Sequence, residues 1–250
     1  MTELLYGRQC VREALIAGRR RFHALLLAEG TRPAPIVSEI VRLAQNAAVP
    51  ISRIDRSLLD RQTAQHQGIG LEVGDYPYVE FTDALQWLER RPQPLVLALD
   101  LVQDPQNVGA LLRSAEAAGA DLVLLQDRRQ VAITPVVSHA SAGGAEHLRV
   151  ATVVNLRRAL QQLQQSAYFV YGLERDPAAR PYTEVDLTGK VVLVVGSEGE
   201  GLRRLTRETC DALLSLPMRG HVGSLNASVA GSVVLFETVR QRHLAPNDSA

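Results

Sequence analysis

The stretch LVLALDLVQDPQNVGALLRSAEAAGADLVLL, residues 95–125, decides the fold of most of this chain. Its first seven residues form an almost continuous apolar run, which is typical of a strand buried on both faces. Asp104 and Pro105 then suit the cap and the first position of a helix that ends near Gly119, and residues 121–125 predict a second strand. A strand, a helix and a strand in this order favour a parallel pair, so we expect an α/β fold built on a parallel sheet.

Two polar residues of the predicted helix lie outside its apolar stripe. The apolar residues between Val108 and Ala115 recur at the spacing of one helical face. Arg113 projects well away from that face, and Asn107 stands at the start of the helix. On this segment alone, Arg113 is most simply interpreted as a solvent-exposed surface arginine.

A glycine-rich loop follows a second buried-strand pattern. Residues 191–195 form an apolar run that leads into GSEGEG at residues 196–201. The loop lacks the Gly-Lys-Ser/Thr ending of a P-loop, and its glycines are not spaced as G-x-G-x-x-G. Glu198 and Glu200 would also repel a pyrophosphate at this range. We therefore expect a neutral or cationic ligand, of which the sulfonium of S-adenosylmethionine is one example.

A third segment, LPMRGHVGSLNASVAG at residues 216–231, begins within a leucine-rich strand pattern that is expected to run over residues 212–218, and it leads into a long helix. Gly231 lies inside this predicted helix, where glycine costs about 1 kcal/mol relative to alanine. The sequence therefore suggests that a ligand or a backbone segment approaches closely there. Ser224 and Asn226 suit the capping of the helix. An ordinary capped helix after a glycine turn would show the same pattern.

Taken together, residues 107–113, 196–201 and 216–226 resemble the three motifs of the SpoU/TrmH family, ribose 2′-O-methyltransferases of the SPOUT class. The motifs stand in family order. The resemblance implies a SPOUT domain over residues 95–243, with a parallel sheet whose C-terminal segment threads a loop as a trefoil knot, a topology that periodicity would not suggest. It also implies S-adenosylmethionine as the cofactor and a homodimer whose active site draws on both subunits.

The same resemblance assigns roles to individual residues. The residues implied for catalysis are Asn107, Arg113, Glu198, Ser224 and Asn226. The residues implied for cofactor binding are Gly196, Leu216, Met218 and Leu225.

The role of Arg113 stays open between two alternatives. In the family this arginine is often given the role of general base, although a guanidinium is effectively always protonated in proteins. It could instead grip the phosphate beside the target ribose and stabilise the developing alkoxide charge. We expect Glu198 to pair with Arg113 and to lock the orientation of its guanidinium.

Residues 1–74 carry the helix and strand patterns of a small α/β domain that could fold by itself. They resemble the N-terminal RNA-binding domain of the ribosomal RNA subgroup of the family, with Tyr6-Gly7 and His66-Gln-Gly68 at recurring positions, although Gln9 stands where histidine is expected.

The N-terminal domain contains a basic cluster. We expect its arginines to contact RNA phosphates, which would supply affinity without reading sequence. The arginines concerned are Arg8, Arg12, Arg20 and Arg21. The alternative is a solvated helix end, where cations complement the helix dipole.

The proline-containing residues 75–94, with Trp87 on a short predicted helix, are expected to form the linker, and residues 244–250 a disordered tail.

The amino-acid composition restricts the classes of function that this chain can have. The 250 residues contain 27 Lys and Arg against 27 Asp and Glu, so any RNA contact must use local patches. Cys10 and Cys210 are too few and too distant for a disulfide framework, and no two histidines have metal-ligand spacing, so no metal is expected. No apolar run could span a membrane and no signal peptide is evident, so we expect a cytoplasmic protein.

Three interpretations of the function remain open. The first is methylation of a guanosine in large-subunit ribosomal RNA, which the N-terminal domain and the overall length favour. The second is 2′-O-methylation of transfer RNA, by a group that usually lacks such a domain. The third is a non-catalytic RNA-binding protein for ribosome assembly, against which the presence of Arg113 and Asn226 argues.

Overall fold

Residues 2–244 are described by the structure, a computed structural model, and the chain divides into two units. Unit 1 contains the chain up to Pro77 together with Ile133–His147. Unit 2 contains Tyr78–Ala132 and the chain from Leu148 onward. The tail expected to be disordered begins at Leu244, the last residue of a helix, and its remainder, residues 245–250, lies outside the described residues.

The strands in chain order are β1 Glu3–Tyr6, β2 Phe22–Ala28, β3 Ile51–Ile54, β4 Ile69–Val73, β5 Leu95–Asp100, β6 Leu122–Gln126, β7 Val150–Val153, β8 Phe169–Leu173, β9 Arg180–Pro181, β10 Val191–Gly196 and β11 Ala212–Ser215. The α-helices in chain order are α1 Arg8–Ala17, α2 Pro35–Asn46, α3 Arg56–Asp60, α4 Phe81–Leu88, α5 Pro105–Ala117, α6 Pro135–Ala140, α7 Leu156–Gln165, α8 Arg204–Thr209 and α9 Ala227–Leu244.

Unit 1 is built on a four-stranded sheet in the order β1-β4-β2-β3. Strand β4 pairs antiparallel with β1 and β2, and β2 pairs parallel with β3. Helices α1 and α2 pack together and contribute Val11, Ala14 and Ile40 to a core that also contains Leu25 and Leu71 from the sheet. The predicted small α/β fold of the N-terminal residues is confirmed.

The segment Ile133–His147 packs in unit 1, although it falls within the range 95–243 that was expected for the catalytic domain. A buried ionic cluster holds it. The Arg20 guanidinium is fully buried, and it donates from Nε to Glu146 Oε2 at 2.8 Å and from Nη2 to Glu146 Oε1 at 3.0 Å. Glu3 accepts from Nη1 at 2.5 Å, and the Ser138 hydroxyl donates to Glu146 at 2.8 Å.

This environment removes Arg20 from the exposed surface of unit 1. Burial alone would lower the pKa of the guanidinium, but the hydrogen bonds and charges of Glu146 and Glu3 outweigh it, and the pKa is raised. The prediction that Arg20 contacts RNA is therefore wrong, because no part of its side chain is exposed. A run of three arginines in a sequence does not show that the middle one is buried.

Unit 2 is built on a seven-stranded sheet in the order β7-β6-β5-β10-β8-β11-β9, in which every neighbouring pair is parallel. All six residues of β5 and all six of β10 are buried, which explains their continuous apolar patterns. The parallel α/β sheet predicted from residues 95–125 is confirmed. Strand β11 stops at Ser215, so the strand expected to reach Met218 is shorter than its apolar pattern.

Helix α4 belongs to the core of unit 2. The range 75–94 was expected to be a linker, yet Ala84 and Leu88 of this helix are buried among the residues of the sheet and α7. The Arg149 and Arg91 guanidiniums lie over the Trp87 ring, at 4.0 and 4.8 Å from its centroid. The prolines around the helix suggested a linker because composition does not show what an amphipathic helix packs against.

Helix α9 packs against α5 and β10. It comes close to both at Gly231, because an added Cβ would lie 2.5 Å from Leu111 Cδ2 and 3.1 Å from Val195 Cγ2. The close approach that the sequence suggested is thus made by neighbouring side chains. No helix among residues 2–244 is both long and apolar enough to cross a membrane.

Candidate active site

A cavity of about 590 Å³ lies at the carboxyl ends of β8, β10 and β11. In parallel α/β sheets, ligands bind at this edge. The residues that line it are Leu173, Glu174, Arg175, Val195, Gly196, Ser197, Glu198, Gly199, Gly201, Leu214, Ser215, Leu216, Met218, Gly223, Ser224, Leu225, Asn226, Ala227 and Ala230. They come from the ends of the three strands and from the start of α9, so segments distant in sequence meet here.

The four residues that the sequence predicts for cofactor binding all line this cavity: Gly196, Leu216, Met218 and Leu225. Three of the residues predicted for catalysis, Glu198, Ser224 and Asn226, line it as well. Asn107 is joined to two of these three by hydrogen bonds. Arg113 is not among the lining residues.

Asn107, Glu198 and Asn226 form a closed hydrogen-bonded triangle at the edge of the cavity. Asn107 Nδ2 donates to Glu198 Oε1 at 2.8 Å, and Asn226 Nδ2 donates to Asn107 Oδ1 at 2.8 Å. Asn226 Nδ2 also donates to Glu198 Oε1 at 2.5 Å. Asn107 is buried, whereas Glu198 is exposed, so the network holds an accessible carboxylate from the buried side.

Asn226 also caps helix α9. Its side-chain Oδ1 accepts hydrogen bonds from the backbone N–H of Ser228 at 2.8 Å and of Val229 at 3.3 Å. The predicted capping role of Asn226 is confirmed, since an amide oxygen at this position satisfies N–H groups that have no partner within the helix. Through this one side chain, the start of α9 is fixed to both α5 and the glycine-rich loop.

Arg113 is exposed on α5 and forms no hydrogen bond or ion pair with the residues that the structure describes. It follows Asn107 by six positions, which turns it about 120° away around the helix axis and moves it about 9 Å along that axis. The prediction that Glu198 pairs with Arg113 is wrong within this chain, because the Glu198 carboxylate is held by the two asparagines instead.

The glycine-rich loop closes on itself, and its first and last glycines, Gly196 and Gly201, leave no room for a side chain. The backbone N–H of Ser197 donates to Gly201 O at 3.1 Å, and the N–H of Gly201 donates back to Ser197 O at 3.1 Å. A Cβ added to Gly196 would lie 2.3 Å from the Gly201 carbonyl group. Gly199 and Gly201 have φ values of +83° and +67°, which side chains disfavour. The glycines therefore keep this backbone compact beside the cavity.

Sequence reasoning missed Glu174 and Arg175, which follow β8 and line the cavity. Gly223 leaves room for the Arg175 guanidinium, since a Cβ there would lie 2.7 Å from Nη1. Among the described lining residues, Arg175 carries the one cationic side chain. The available signal was their position directly after an apolar strand run in a parallel sheet.

The remaining arginines predicted to contact RNA differ in their surroundings in unit 1. Arg12 forms ion pairs with Glu13 at 2.5 Å and with Glu39 at 2.9 Å, and the hydrogen bond that its guanidinium donates to Glu39 raises the pKa of Arg12. Arg8 donates from Nε to the Gln67 carbonyl at 3.3 Å. Arg21 is exposed, and its side chain forms no hydrogen bond or ion pair with the described residues, although its backbone carbonyl accepts from the Gly74 N–H.

Comparison with known proteins bears on both units. The sequence profile of the SpoU rRNA Methylase family matches residues 94–236, and a profile described as RNA 2′-O ribose methyltransferase substrate binding matches residues 4–79. An uncharacterized tRNA/rRNA methyltransferase from Mycobacterium sp. (strain KMS) is 45% identical over 244 residues, covering 96% of this chain and 77% of the relative.

Two solved structures share the fold. A crystal structure of an RNA 2′-O ribose methyltransferase has a TM-score of 0.79 at 27% identity, covering 97% of this chain and 90% of that chain. The SpoU methyltransferase AviRb from Streptomyces viridochromogenes, crystallised in complex with AdoMet, has a TM-score of 0.80 at 22% identity, covering 97% and 91%. Because the methylase profile spans more than half of the sequence, this chain belongs to the SpoU rRNA methylase family.

Proposed function

We propose that this protein transfers a methyl group from S-adenosylmethionine to a ribose 2′-hydroxyl of RNA, at a guanosine of large-subunit ribosomal RNA. One observation carries the proposal. The segments 196–201 and 216–226 line one cavity, and Asn107 from the third motif is hydrogen-bonded to Glu198 and Asn226 at its edge. Membership of the SpoU rRNA methylase family supports the same reaction.

The cavity fits S-adenosylmethionine in size and in chemistry. Its volume of about 590 Å³ lies within the range of small-molecule sites, roughly 300–1,000 Å³. Leu216, Met218 and Leu225 offer apolar surface for the adenosine, and the loop at Gly196 exposes backbone groups to it. The carboxylate of Glu198 favours a positively charged ligand at the cavity edge.

When bound, S-adenosylmethionine supplies an electrophilic methyl group. The residues of the chain must hold the ribose hydroxyl in line with it, and positioning of this kind contributes several kcal/mol, up to about 7–11, to lowering a barrier. Asn107 and Asn226 fix the Glu198 carboxylate, and Ser224 lines the same cavity. We assign these four residues to orienting the ribose.

Arg113 acts on charge in this proposal. A guanidinium stays protonated, so it is suited to gripping the phosphate beside the ribose and to stabilising negative charge on the 2′-oxygen. The proton then leaves to phosphate or water. In the structure Arg113 is exposed and has no partner among the described residues, which leaves it accessible to RNA.

A homodimer accounts for the position of Arg113. Because this side chain lies outside the cavity of its own chain, we propose that it serves the cavity of a partner subunit. The exposed apolar residues of α9 and of the segment before it offer a surface for such a partner. They are Val222 at 69%, Leu225 at 42%, Val229 at 48% and Phe236 at 49% exposure.

Ribosomal RNA is favoured over transfer RNA by unit 1. The substrate-binding profile matches residues 4–79, and by resemblance this domain belongs to the ribosomal RNA subgroup. Arg8, Arg12 and Arg21 are proposed to contact phosphates there, which supplies affinity without base readout. Transfer RNA is the second candidate because the Mycobacterium relative is described as a tRNA/rRNA methyltransferase.

The test is transfer of labelled methyl from S-adenosylmethionine to unmodified large-subunit ribosomal RNA and, separately, to unmodified transfer RNA. Alkali-resistant linkages in the product identify 2′-O-methylation. Label in ribosomal RNA alone supports the proposal, and label in transfer RNA alone replaces the substrate. Absence of label together with absence of S-adenosylmethionine binding would favour a non-catalytic RNA-binding protein. Asn226→Ala, which breaks the triangle at the cavity edge, is the inactive control.

A further inference from the structure

We infer that Asp100 and Glu174 are positioning residues that clamp the returning end of the glycine-rich loop, and that cofactor affinity depends on this clamp. The inference rests on the proposed function for the identity of the ligand. The geometry that carries it lies on the two sides of β10, which pairs with β5 on one side and with β8 on the other.

The loop leaves β10 at Gly196 and returns at Leu202 and Arg203, just before α8 begins. Its outward end is held by the sheet, because Gly196 pairs with Asp100 in the parallel register. At its return end Gly201 pairs with Ser197 across the loop, but the backbone N–H groups of Leu202 and Arg203 lie beyond this pair and outside the sheet ladder. The carboxylates of Glu174 and Asp100 accept these two N–H groups instead.

Glu174 directly follows β8 and binds the first of the two returning amides. Its Oε2 accepts the backbone N–H of Leu202 at 3.0 Å, and its Oε1 accepts the N–H of Arg175 at 3.0 Å. Gly201 leaves the space that the carboxylate occupies, since a Cβ there would lie 2.6 Å from Oε2. Because Gly201 has no side chain, the Glu174 carboxylate can occupy this space beside the end of the loop.

Asp100 ends β5 and binds the second returning amide. Its Oδ2 accepts the backbone N–H of Arg203 at 2.9 Å. Its Oδ1 accepts from Arg203 Nε at 2.7 Å and from Gln126 Nε2 at 3.1 Å. Arg203 Nη2 also donates to Gln126 Oε1 at 2.8 Å, which closes the network. Asp100 is completely buried, and both oxygens of its carboxylate accept hydrogen bonds. A buried network that is satisfied in this way holds Arg203 and Gln126 in one arrangement.

The two consecutive amides are thus fixed from opposite sides of β10. Since the loop between its two ends is only five residues long, fixing both ends also fixes Glu198 at its tip, which meets Asn107 and Asn226. Loss of either carboxylate leaves the backbone N–H of Leu202 or of Arg203 without its acceptor and loosens the chain where it leaves the loop. The cavity wall formed by this loop would then have to be ordered by the ligand, at the expense of affinity.

The clamp is tested with the full-length protein, by hydrogen exchange of the peptide containing Leu202 and Arg203 and by calorimetric binding of S-adenosylhomocysteine. We expect Asp100→Asn and Glu174→Ala to speed exchange of this peptide and to weaken binding about tenfold or more. Glu174→Gln keeps one carbonyl oxygen for the Leu202 amide and should recover most of the affinity. Glu200→Gln removes a carboxylate of the same loop that makes no described bond and should change neither quantity.

Kinetic constants and variant affinities distinguish the clamp from a direct role in methyl transfer. In turnover, the KM for S-adenosylmethionine should rise more than kcat falls, because the clamp acts through the loop and not on the methyl group. Unchanged affinity in Glu174→Ala, or equal losses in its Ala and Gln variants, would overturn the inference even if Asp100→Asn fails to fold. If the wild-type protein binds no S-adenosylhomocysteine, the proposed cofactor is refuted, whereas slow exchange lost on substitution would still establish the clamp.

Discussion

For Arg113, the sequence motif predicted a catalytic role, but only the structure shows where the side chain lies. The motif resemblance selected it, but periodicity indicated an ordinary surface arginine, and the structure places it outside the cavity of its own chain. Asn107, Glu198 and Asn226 are separated by up to 119 positions in sequence, and only the fold brings their side chains into one triangle.

We expect Arg113→Ala to lower kcat by about 10²- to 10³-fold, the range typical for loss of one charge-stabilising donor, while S-adenosylhomocysteine affinity is unchanged. If the arginine serves a partner subunit, a mixture of Arg113→Ala and Asn226→Ala chains should regain activity that neither variant has alone. The measurement is methyl transfer after the two chains are co-refolded. Full turnover by Arg113→Ala would remove the residue from the mechanism.

Arg20 and Arg21 are adjacent arginines for which we expect opposite results. Arg20→Gln leaves Glu146 buried without its cation, which typically costs about 3–5 kcal/mol in the free energy of unfolding. Arg21→Gln changes an exposed side chain and should leave the unfolding free energy within about 0.5 kcal/mol, while lowering RNA affinity. Urea unfolding and RNA binding at fixed salt measure the two effects. Equal stabilities would contradict the structural role of Arg20.

At the scale of elements, the sequence is most informative where both faces of a strand are buried. Strands β5 and β10 end within one residue of the predicted bounds, because continuous apolar runs reflect burial directly. Strand β11 was predicted to extend to Met218, but it ends at Ser215. The apolar residues Leu216 and Met218 beyond it line the cavity instead of continuing the strand. A knotted path for this segment is implied only by the family resemblance and stays a prediction.

The contact between α5 and α9 gives a prediction for Gly231. Alanine is the better helix former by about 1 kcal/mol, but its methyl group would lie 2.5 Å from Leu111 Cδ2. Overpacking typically costs about 1–3 kcal/mol, so we expect Gly231→Ala to lower the unfolding free energy and to weaken S-adenosylhomocysteine binding. Gly189→Ala, where an added Cβ meets no atom within 4 Å, is the matched control. A stabilised Gly231→Ala protein would show that the contact is not tight.

At the scale of the whole molecule, the partition of the chain differs from a simple order of domains. In the sequence, residues 133–147 come between β6 and β7, two strands of the unit 2 sheet, yet they pack in unit 1. No local pattern in the sequence reports this, because an apolar face predicts burial without naming the surface that buries it. The cluster of Arg20 and Glu146 is the chemical reason why the segment stays there.

This partition predicts the behaviour of a truncated chain. Deletion of residues 1–77 removes the partners of the segment 133–147, including the cation of Glu146. We expect the remaining protein to be cleaved within 133–147 by a glutamate-specific protease that leaves this segment of the full chain intact. Binding of S-adenosylhomocysteine should persist, since the cavity is lined from unit 2. Resistance of the truncated chain to cleavage would show that the segment is stable without unit 1.

The same buried pair sets an order of events during synthesis on the ribosome. Glu146 is translated 126 residues after Arg20, which at typical elongation rates is a delay of about 6–25 s. Through that interval, the first unit to emerge contains the Arg20 cation and Glu3 but lacks Glu146, the carboxylate that accepts two of its hydrogen bonds. Its folding is therefore completed only when the nascent chain has delivered the first two strands of the catalytic sheet, so the two halves of this enzyme mature together.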